Sequence, residues 1–398
     1  MSYNLTSSRL PTLVHTYLPT PLHPFLLLSY PVRPHLSFFQ RTSKHLSVTS
    51  TSSPTLYSKG SKDLCFVIFW ALAFTLARAF CLRYVFAPFV RWYLGATPAG
   101  HEHAQNGKAH LAKGERKERR RKENIATRFS EQAWSCLYCS VSWTIGMIIL
   151  HRIPHAASPA QLWGTYPYSP IPGLTKFYYL AQLGWWFHQV YVINTEKRRK
   201  DHWQMFGHHI LSITLITSSY ATNFTRVGTL IHVLMDFVDI IFPLAKMLRY
   251  LSHTTLCDIT FVIFLVSWLF SRQIGLFLVL RTLFYDAPAY IPFEWNPSQG
   301  KYLTRGTFWG FFALLCTLYV LASMWFCMAC VVAVRVVRGL GAEDIREEDV
   351  EGDDESDAED GHVAMADLEG IPQSVGTTSA SDVGQTATNG EAELKKRR

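Results

Sequence analysis

Charge is scarce in this chain of 398 residues: Asp, Glu, Lys and Arg together make up 17% of it, against 48% hydrophobic and 14% aromatic residues. So little charge excludes an ordinary soluble domain as the main body of the protein. No segment recurs at a fixed period, and no secretory leader with a cleavage site is expected, since "HPFLLLSY" (23 to 30) is short and flanked by proline. Eight cysteines include two pairs at metal-like spacing, Cys136 with Cys139 and Cys327 with Cys330. Both pairs lack a histidine at ligand spacing and sit in apolar runs, so they read as small polarizable packing residues; Cys327 and Cys330 are also candidates for palmitoylation. The net charge of +8 is confined to loops and is not a nucleic-acid signature.

What is there is apolar length. Runs near Leu64–Phe86, Gln132–Leu150, Leu174–Ile193, Trp203–Tyr220, Val227–Met247, Ile259–Leu280 and Thr307–Val334 each approach the ~20 residues a helix needs to cross a hydrocarbon core of ~30 Å. The expected fold class is therefore an all-α polytopic membrane protein with about seven transmembrane helices, eight if residues 1–62 conceal another. Basic clusters "KGERKERRRK" (113 to 122), "KRRK" (197 to 200), Lys246 with Arg249, and Arg335 with Arg338 all fall on one side if the helices alternate, and that side is expected to be cytosolic. Residues 1–62 carry Arg33, Arg41, Lys44, Lys59 and Lys62 and disagree with that topology.

Three domains are expected: an irregular Ser/Thr/Pro-rich segment at 1–62, a transmembrane catalytic domain at 63–340, and an acidic disordered tail at 341–398. Within the tail, Ser356 has the acidic surroundings that acid-directed kinases favour. Lys395 and Lys396 stand where a dilysine signal for the endoplasmic reticulum would stand, which requires a cytosolic carboxyl terminus.

Ionisable residues inside the apolar runs are expensive and so point to function. Adjacent His208 and His209 lie in one run, and His232, Asp236 and Asp239 lie in the next. The turn between those runs, around "TNFTR" (222 to 226), is so short that the two helices must be antiparallel neighbours. Positions of equal height then sum to a constant, which puts His208 and His209 level with the pair of aspartates. Asp236 and Asp239 are i and i+3, on one face, and His232 extends that face by a turn. Counted from Lys200 and Lys246, the four groups sit about 10 to 12 Å inside the basic end, at ~1.5 Å per residue. Four readings remain open on this geometry: interhelical bonds that lock the hairpin, a metal site, a proton relay, or acid/base and nucleophilic catalysis. Stability is a weak motive, because such bonds are worth only ~0.6 to 2 kcal/mol. A metal would demand strain, because adjacent histidines project about 100 degrees apart.

The stretch "EKRRKDHWQMFGHHILSITLITSSYATNFTRVGTLIHVLMDFVDIIFPLAKMLRYL" (196 to 251) resembles the signature region of ceramide synthases, within the wider TRAM/LAG1/CLN8 (TLC) superfamily. Arg199-Lys200-Asp201, His208-His209, Ser219-Tyr220, Asp236, Asp239, Lys246 and Tyr250 carry it; "YSKGSKDLCFVIFW" with Arg78, "TYPYSPIPGLTKFYYL" and Arg272 are similar too. The likeness runs over about 57–338. Met235, where animal members carry histidine, gives the fungal "MDxxD" form. "TPLHPFLLLSY" (20 to 30) looks like the segment that precedes "YSKG", with a Ser/Thr/Pro-rich insertion between them.

The resemblance implies acyl transfer from acyl-CoA, as co-substrate, to the amine of a sphingoid base (dihydrosphingosine or phytosphingosine), without a bound cofactor and with no metal. It implies a multi-pass protein of the endoplasmic reticulum membrane among membrane lipids, a homo- or hetero-dimer with a small regulatory subunit, and no nucleic-acid partner. His208, His209, Asp236 and Asp239 are the implied catalytic set, with His208 the candidate to carry a transient acyl group. Arg198, Arg199, Lys200, Asp201, Tyr220, His232, Lys246 and Arg272 are expected to bind substrate, the basic triplet through coenzyme A phosphates. Acyl chain length is expected to be chosen by the last two spans and the loop Tyr285–Gly306.

Overall fold

A computed structural model describes residues 19–32, 55–95, 113–196 and 201–338. Long apolar runs become long helices here: α1 Asp63–Tyr93, α2 Lys113–His151, α3 Gly173–Thr195, α4 His202–Ala221, α5 Thr225–Tyr250, α6 Thr254–Tyr285 and α7 Arg305–Val337. Among the described residues, α1, α2, α5, α6 and α7 are both long and apolar enough to cross a membrane. Only 11 to 39% of the residues in their most apolar stretches are buried in the protein. Leu64, Leu72, Leu76 and Phe80 of α1 lie on the outside, as do Val262, Val266, Phe270 and Phe277 of α6. A surface of that kind suits acyl chains and would aggregate in water. The chain is an all-α polytopic membrane protein.

Of the seven expected spans, α3 and α4 fall short on apolarity and not on length, at 23 and 20 residues. Their polar side chains are turned inward: α3 buries Thr175, Lys176, Gln182 and His188, and α4 buries His202, His209, Ser212 and Ser219. Each thus turns a polar face toward its neighbours, while α4 keeps an outer face on which Trp203 and Ile210 are exposed. Helix α2, at 39 residues, is about 58 Å long, roughly twice a hydrocarbon core, so its basic beginning projects beyond the apolar layer.

The turn from α4 to α5 is as short as expected. Asn223 takes a left-handed φ of 70°, and its side chain holds the turn: the amide nitrogen donates to the Gly300 carbonyl at 2.8 Å and the amide oxygen accepts from Lys59. Just inside the turn the helices touch closely, for a Cβ on Gly228 would lie 1.8 Å from the Tyr179 hydroxyl and 2.8 Å from Ser219 Oγ. Farther from the turn they part. Helix α4 packs on α3 and α7, while α5 packs chiefly on α2 and α6.

A small three-stranded antiparallel sheet caps the same end, pairing β1 Pro31–Val32 with β2 Leu56–Tyr57, and β2 with β3 Ile171–Pro172. It places residues 20–32 beside the "YSKG" segment across the intervening insertion. A two-stranded hairpin, β4 Glu294–Asn296 and β5 Lys301–Leu303, occupies the loop between α6 and α7. Lys59 lies beneath this cap, donating to the Tyr220 carbonyl and to Asn223. Burial is the main reason its amine drops from 10.5 to about 7; nearby Lys176 adds to the drop and Asp63 opposes it. Between those values the folded chain holds a neutral amine where the unfolded chain holds a proton, so this residue makes stability rise as pH climbs above 7. The melting temperature of detergent-solubilised protein is expected to rise more between pH 7 and 9 in the native chain than in Lys59→Met. Equal slopes in the two proteins would contradict this.

Candidate active site

His208 stands between two indoles. Its ring centroid lies 5.3 Å from that of Trp186 on α3 and 5.1 Å from that of Trp325 on α7, both edge-on. His209, on the next position of α4, also meets Trp186, at 5.4 Å, and its centroid is 5.9 Å from that of His208. The adjacent histidines diverge, as the helical turn requires, yet one tryptophan touches both. Their Nδ1 atoms are buried and have no hydrogen-bond partner.

The carboxylates are held from other helices. Asp236 is buried on α5, and its Oδ2 accepts from Ser142 Oγ of α2 at 2.5 Å and from Gln182 Nε2 of α3 at 3.1 Å. Asp239 is half exposed and pairs with Arg272 of α6 at 2.6 Å. Arg272 is buried, donates to the Met235 carbonyl at 2.8 Å and lies 4.5 Å over the Trp268 ring. It sits in a wider π-type stretch of α6, Leu269–Gly275, an irregularity often found at functional positions.

These contacts close into a circuit. Gln182 and Trp186 are one turn apart on the same face of α3, so the helix that holds Asp236 also touches both histidines. On the other side Trp268 and Trp325 belong to one buried apolar cluster with Val238 and Phe264, which joins Arg272 and Asp239 to His208. No ion pair joins a histidine to an aspartate among the described residues; the two kinds of group are linked through the side chains between them. The indole nitrogens of Trp186, Trp268 and Trp325 and Nε of Arg272, like the two imidazole Nδ1 atoms, are buried with their hydrogen-bonding capacity unmet by the protein. Polar atoms concentrated this way suit a bound molecule that is itself polar at its reacting end.

The other residues singled out in the sequence lie apart from this circuit to different degrees. His232 is one turn from Asp236; its ring stands between Tyr178 and Tyr179, and its Nδ1–H donates to the Gly228 carbonyl at 2.8 Å. Tyr220 lies at the opposite end of α4, where its hydroxyl donates to Asp63 at 2.8 Å. Lys246 is two turns beyond Asp239, its amine 4.9 Å over Phe242. Asp201 caps the start of α4, its carbonyl accepting from the Met205 amide at 3.0 Å. Arg78 pairs with Glu196 at the end of α3. Arg198, Arg199 and Lys200 lie outside the described residues, as do Ser356, Lys395 and Lys396.

Sequence reasoning missed Ser142, Gln182, Trp186 and Trp325. It followed charge, whereas these are neutral. The available signal was spacing: Tyr138 with Ser142, and Tyr178, Gln182 and Trp186, recur every four residues on single helix faces.

A buried acid and imidazole centre inside a helical bundle defines a class, the polytopic membrane proteins that do polar work within the bilayer. Residues 128–331 match the family model described as the TLC domain. A protein of Gibberella moniliformis named ceramide synthase is 38% identical over 341 residues, covering 79% of this chain and 74% of its own. One of Schizosaccharomyces pombe named sphingosine N-acyltransferase is 37% identical over 301 residues, 75% of this chain and 70% of its own. A ceramide synthase of Saccharomyces cerevisiae is 32% identical over 257 residues, 64% and 52% of the two chains. The chain belongs to the TRAM/LAG1/CLN8 family of TLC-domain proteins.

Proposed function

We propose that this protein is a ceramide synthase, an acyltransferase that moves a fatty acyl group from acyl-CoA to the amine of a sphingoid base. The observation that carries the reading is His208: an intramembrane imidazole clamped between two indoles, with an unpartnered ring nitrogen, in a circuit of contacts that also contains a buried carboxylate held by neutral donors. The names of the relatives support the substrate class.

In this reading a ring nitrogen of His208 attacks the thioester carbonyl. The carbon–sulfur bond breaks, coenzyme A leaves as thiolate, and an acyl-imidazolium remains, an activated amide whose leaving group is the neutral imidazole. The base's amine then attacks the same carbonyl carbon, Asp236 takes the proton that the nitrogen sheds, and the bond to His208 breaks as the amide forms. Arg272, fixed by Asp239, supplies positive charge beside the developing oxyanion. All of this occurs away from water, which would otherwise compete for the acyl group.

The basic runs support a site near the cytosolic face, where a water-soluble carrier would deliver its thioester while the acyl chain stays in the bilayer. Arg198, Arg199 and Lys200 would hold the coenzyme A phosphates. The tail, with Lys395 and Lys396, would lie in the cytosol and the body in the endoplasmic reticulum membrane. The test is direct: purified protein given a long-chain acyl-CoA and dihydrosphingosine yields N-acyl product and free coenzyme A in equal amounts. No product from any acyl chain length tried, with protein shown to be folded, would remove the proposal.

A further inference from the structure

The two carboxylates are held in chemically different ways. Asp239 faces a guanidinium that neutralises it and ties up one oxygen. Asp236 has no cation within ion-pair distance among the described residues; its partners are a hydroxyl and an amide, and both act on the same oxygen, Oδ2. Those donors are themselves fixed. The Gln182 amide oxygen accepts from the Tyr138 hydroxyl at 2.8 Å, which turns its nitrogen toward Ser142 and Asp236. Tyr138 is in turn stacked on Trp185, with centroids 3.4 Å apart and planes 4° from parallel. Ser142, Gln182 and Tyr178 are buried, and Gln182 Nε2 also donates to the Tyr178 hydroxyl at 3.3 Å.

We propose that Ser142 and Gln182, oriented by Tyr138, are positioning residues that anchor Asp236 through Oδ2 and present Oδ1 as the acceptor of the amine proton, while Asp239 serves to hold Arg272. The assignment rests on the acyl-transfer reading above and divides the labour of its two acids. Two neutral donors can steady a carboxylate in whichever protonation state the step requires, whereas a permanent cation would hold it charged. Anchoring one oxygen also fixes the direction of the other, and a misplacement of about 1 Å in such a centre is worth up to ~10²-fold in rate.

The test uses the full-length protein in detergent, acyl-CoA and a long-chain base, with kcat and both KM values measured. Ser142→Ala and Gln182→Leu are each expected to lower kcat by about tenfold with KM for both substrates within about twofold, and Ser142→Thr to restore most of the loss. Tyr138→Phe keeps the ring stacked on Trp185 and removes only the hydroxyl that turns Gln182. It is expected to fold normally and lower kcat by about threefold, which guards against poor folding of the other variants. Asp236→Asn is run alongside. If it is inactive while the Ser142, Gln182 and Tyr138 variants keep native kcat, the positioning assignment is wrong and the acyl-transfer reading stands. If Asp236→Asn itself turns over normally, the positioning assignment and the role of Asp236 as proton acceptor fall while acyl transfer stands; only a native protein without turnover removes both. A kcat loss that Ser142→Thr leaves in place, accompanied by a lower melting temperature, would reduce the network to packing and overturn the proposal.

Discussion

Replacing His208 with alanine lowers N-acyl transfer by at least about 10³-fold, because the residue that would receive the acyl group is gone and neither neighbouring acid can replace it. The fold is expected to survive. The Nδ1 atom of His208 has no partner to strand, and what is lost is two edge-on ring contacts with Trp186 and Trp325, each worth about 0.5 to 1.5 kcal/mol. His208→Phe refills the space between the indoles without restoring a nitrogen. It is expected to melt near the native protein and be as inactive as the alanine variant. Assay of product by mass spectrometry, with size-exclusion profiles of each variant, decides the matter. Substantial product from His208→Phe would mean that the imbalance between buried polar atoms and their partners here serves some other chemistry. The same pair of variants separates catalysis from a purely architectural histidine, which alanine would destabilise and phenylalanine would rescue.

That such a prediction can be made from residues named in the sequence reflects how the bilayer sorts side chains. A charge or imidazole within an apolar run is costly enough to stand out, so His208, His209, Asp236, Asp239 and Arg272 were legible without coordinates. Their depth was legible too, since a short turn fixes equal heights on two antiparallel helices. Whether the two helices touch at that depth was not. Contact is decided by what packs between them: Gly228 lets α4 and α5 meet at the turn, while Trp186 of α3 and Trp325 of α7 flank the histidines farther along. The imidazoles and acids are therefore joined through intervening side chains and not by a bond to one another among the described residues, a fact carried by partners distant in the chain. Neutral residues escaped for the opposite reason to the charges. A glutamine, a serine or a tryptophan in a membrane helix is unremarkable in price, and only the hydrogen bonds to Asp236 single out Ser142 and Gln182. In the fold, the apolar runs of α1, α2, α5, α6 and α7 were plain, whereas α3 and α4 are long but less apolar, because each turns a polar face toward its neighbours. Tyr220 illustrates the remaining gap. Its place in the resemblance put it among substrate-binding residues, and its hydroxyl is found on Asp63, 157 positions earlier.

Asp63 leads to the largest expected effect on stability, that of Lys176→Met. Lys176 is wholly buried on α3, pairs with Asp63 Oδ1 at 2.7 Å, and donates to the Ser29 and Ser58 carbonyls at 2.8 and 2.7 Å. One amine thus ties α1, α3 and both segments flanking the sheet together, with the rings of Tyr30 and Tyr57 5.4 and 5.9 Å away. Methionine fills much the same volume but leaves a buried carboxylate without its cation and two carbonyls without a donor. Breaking a buried pair from one side generally costs about 3 to 5 kcal/mol, a large part of the stability of most proteins. The variant is therefore expected to be recovered poorly and to melt well below the native chain. Asp63→Asn should be milder, because Lys176 keeps both carbonyls and the new amide still meets Tyr220. Combining the two changes removes both charges, so the double variant is expected to melt above Lys176→Met alone, a non-additivity that marks direct coupling. Thermal unfolding of the four proteins in one detergent measures it. If Lys176→Met melts with the native chain, or the double variant loses the full sum of the single losses, the amine is not the tie that its contacts describe.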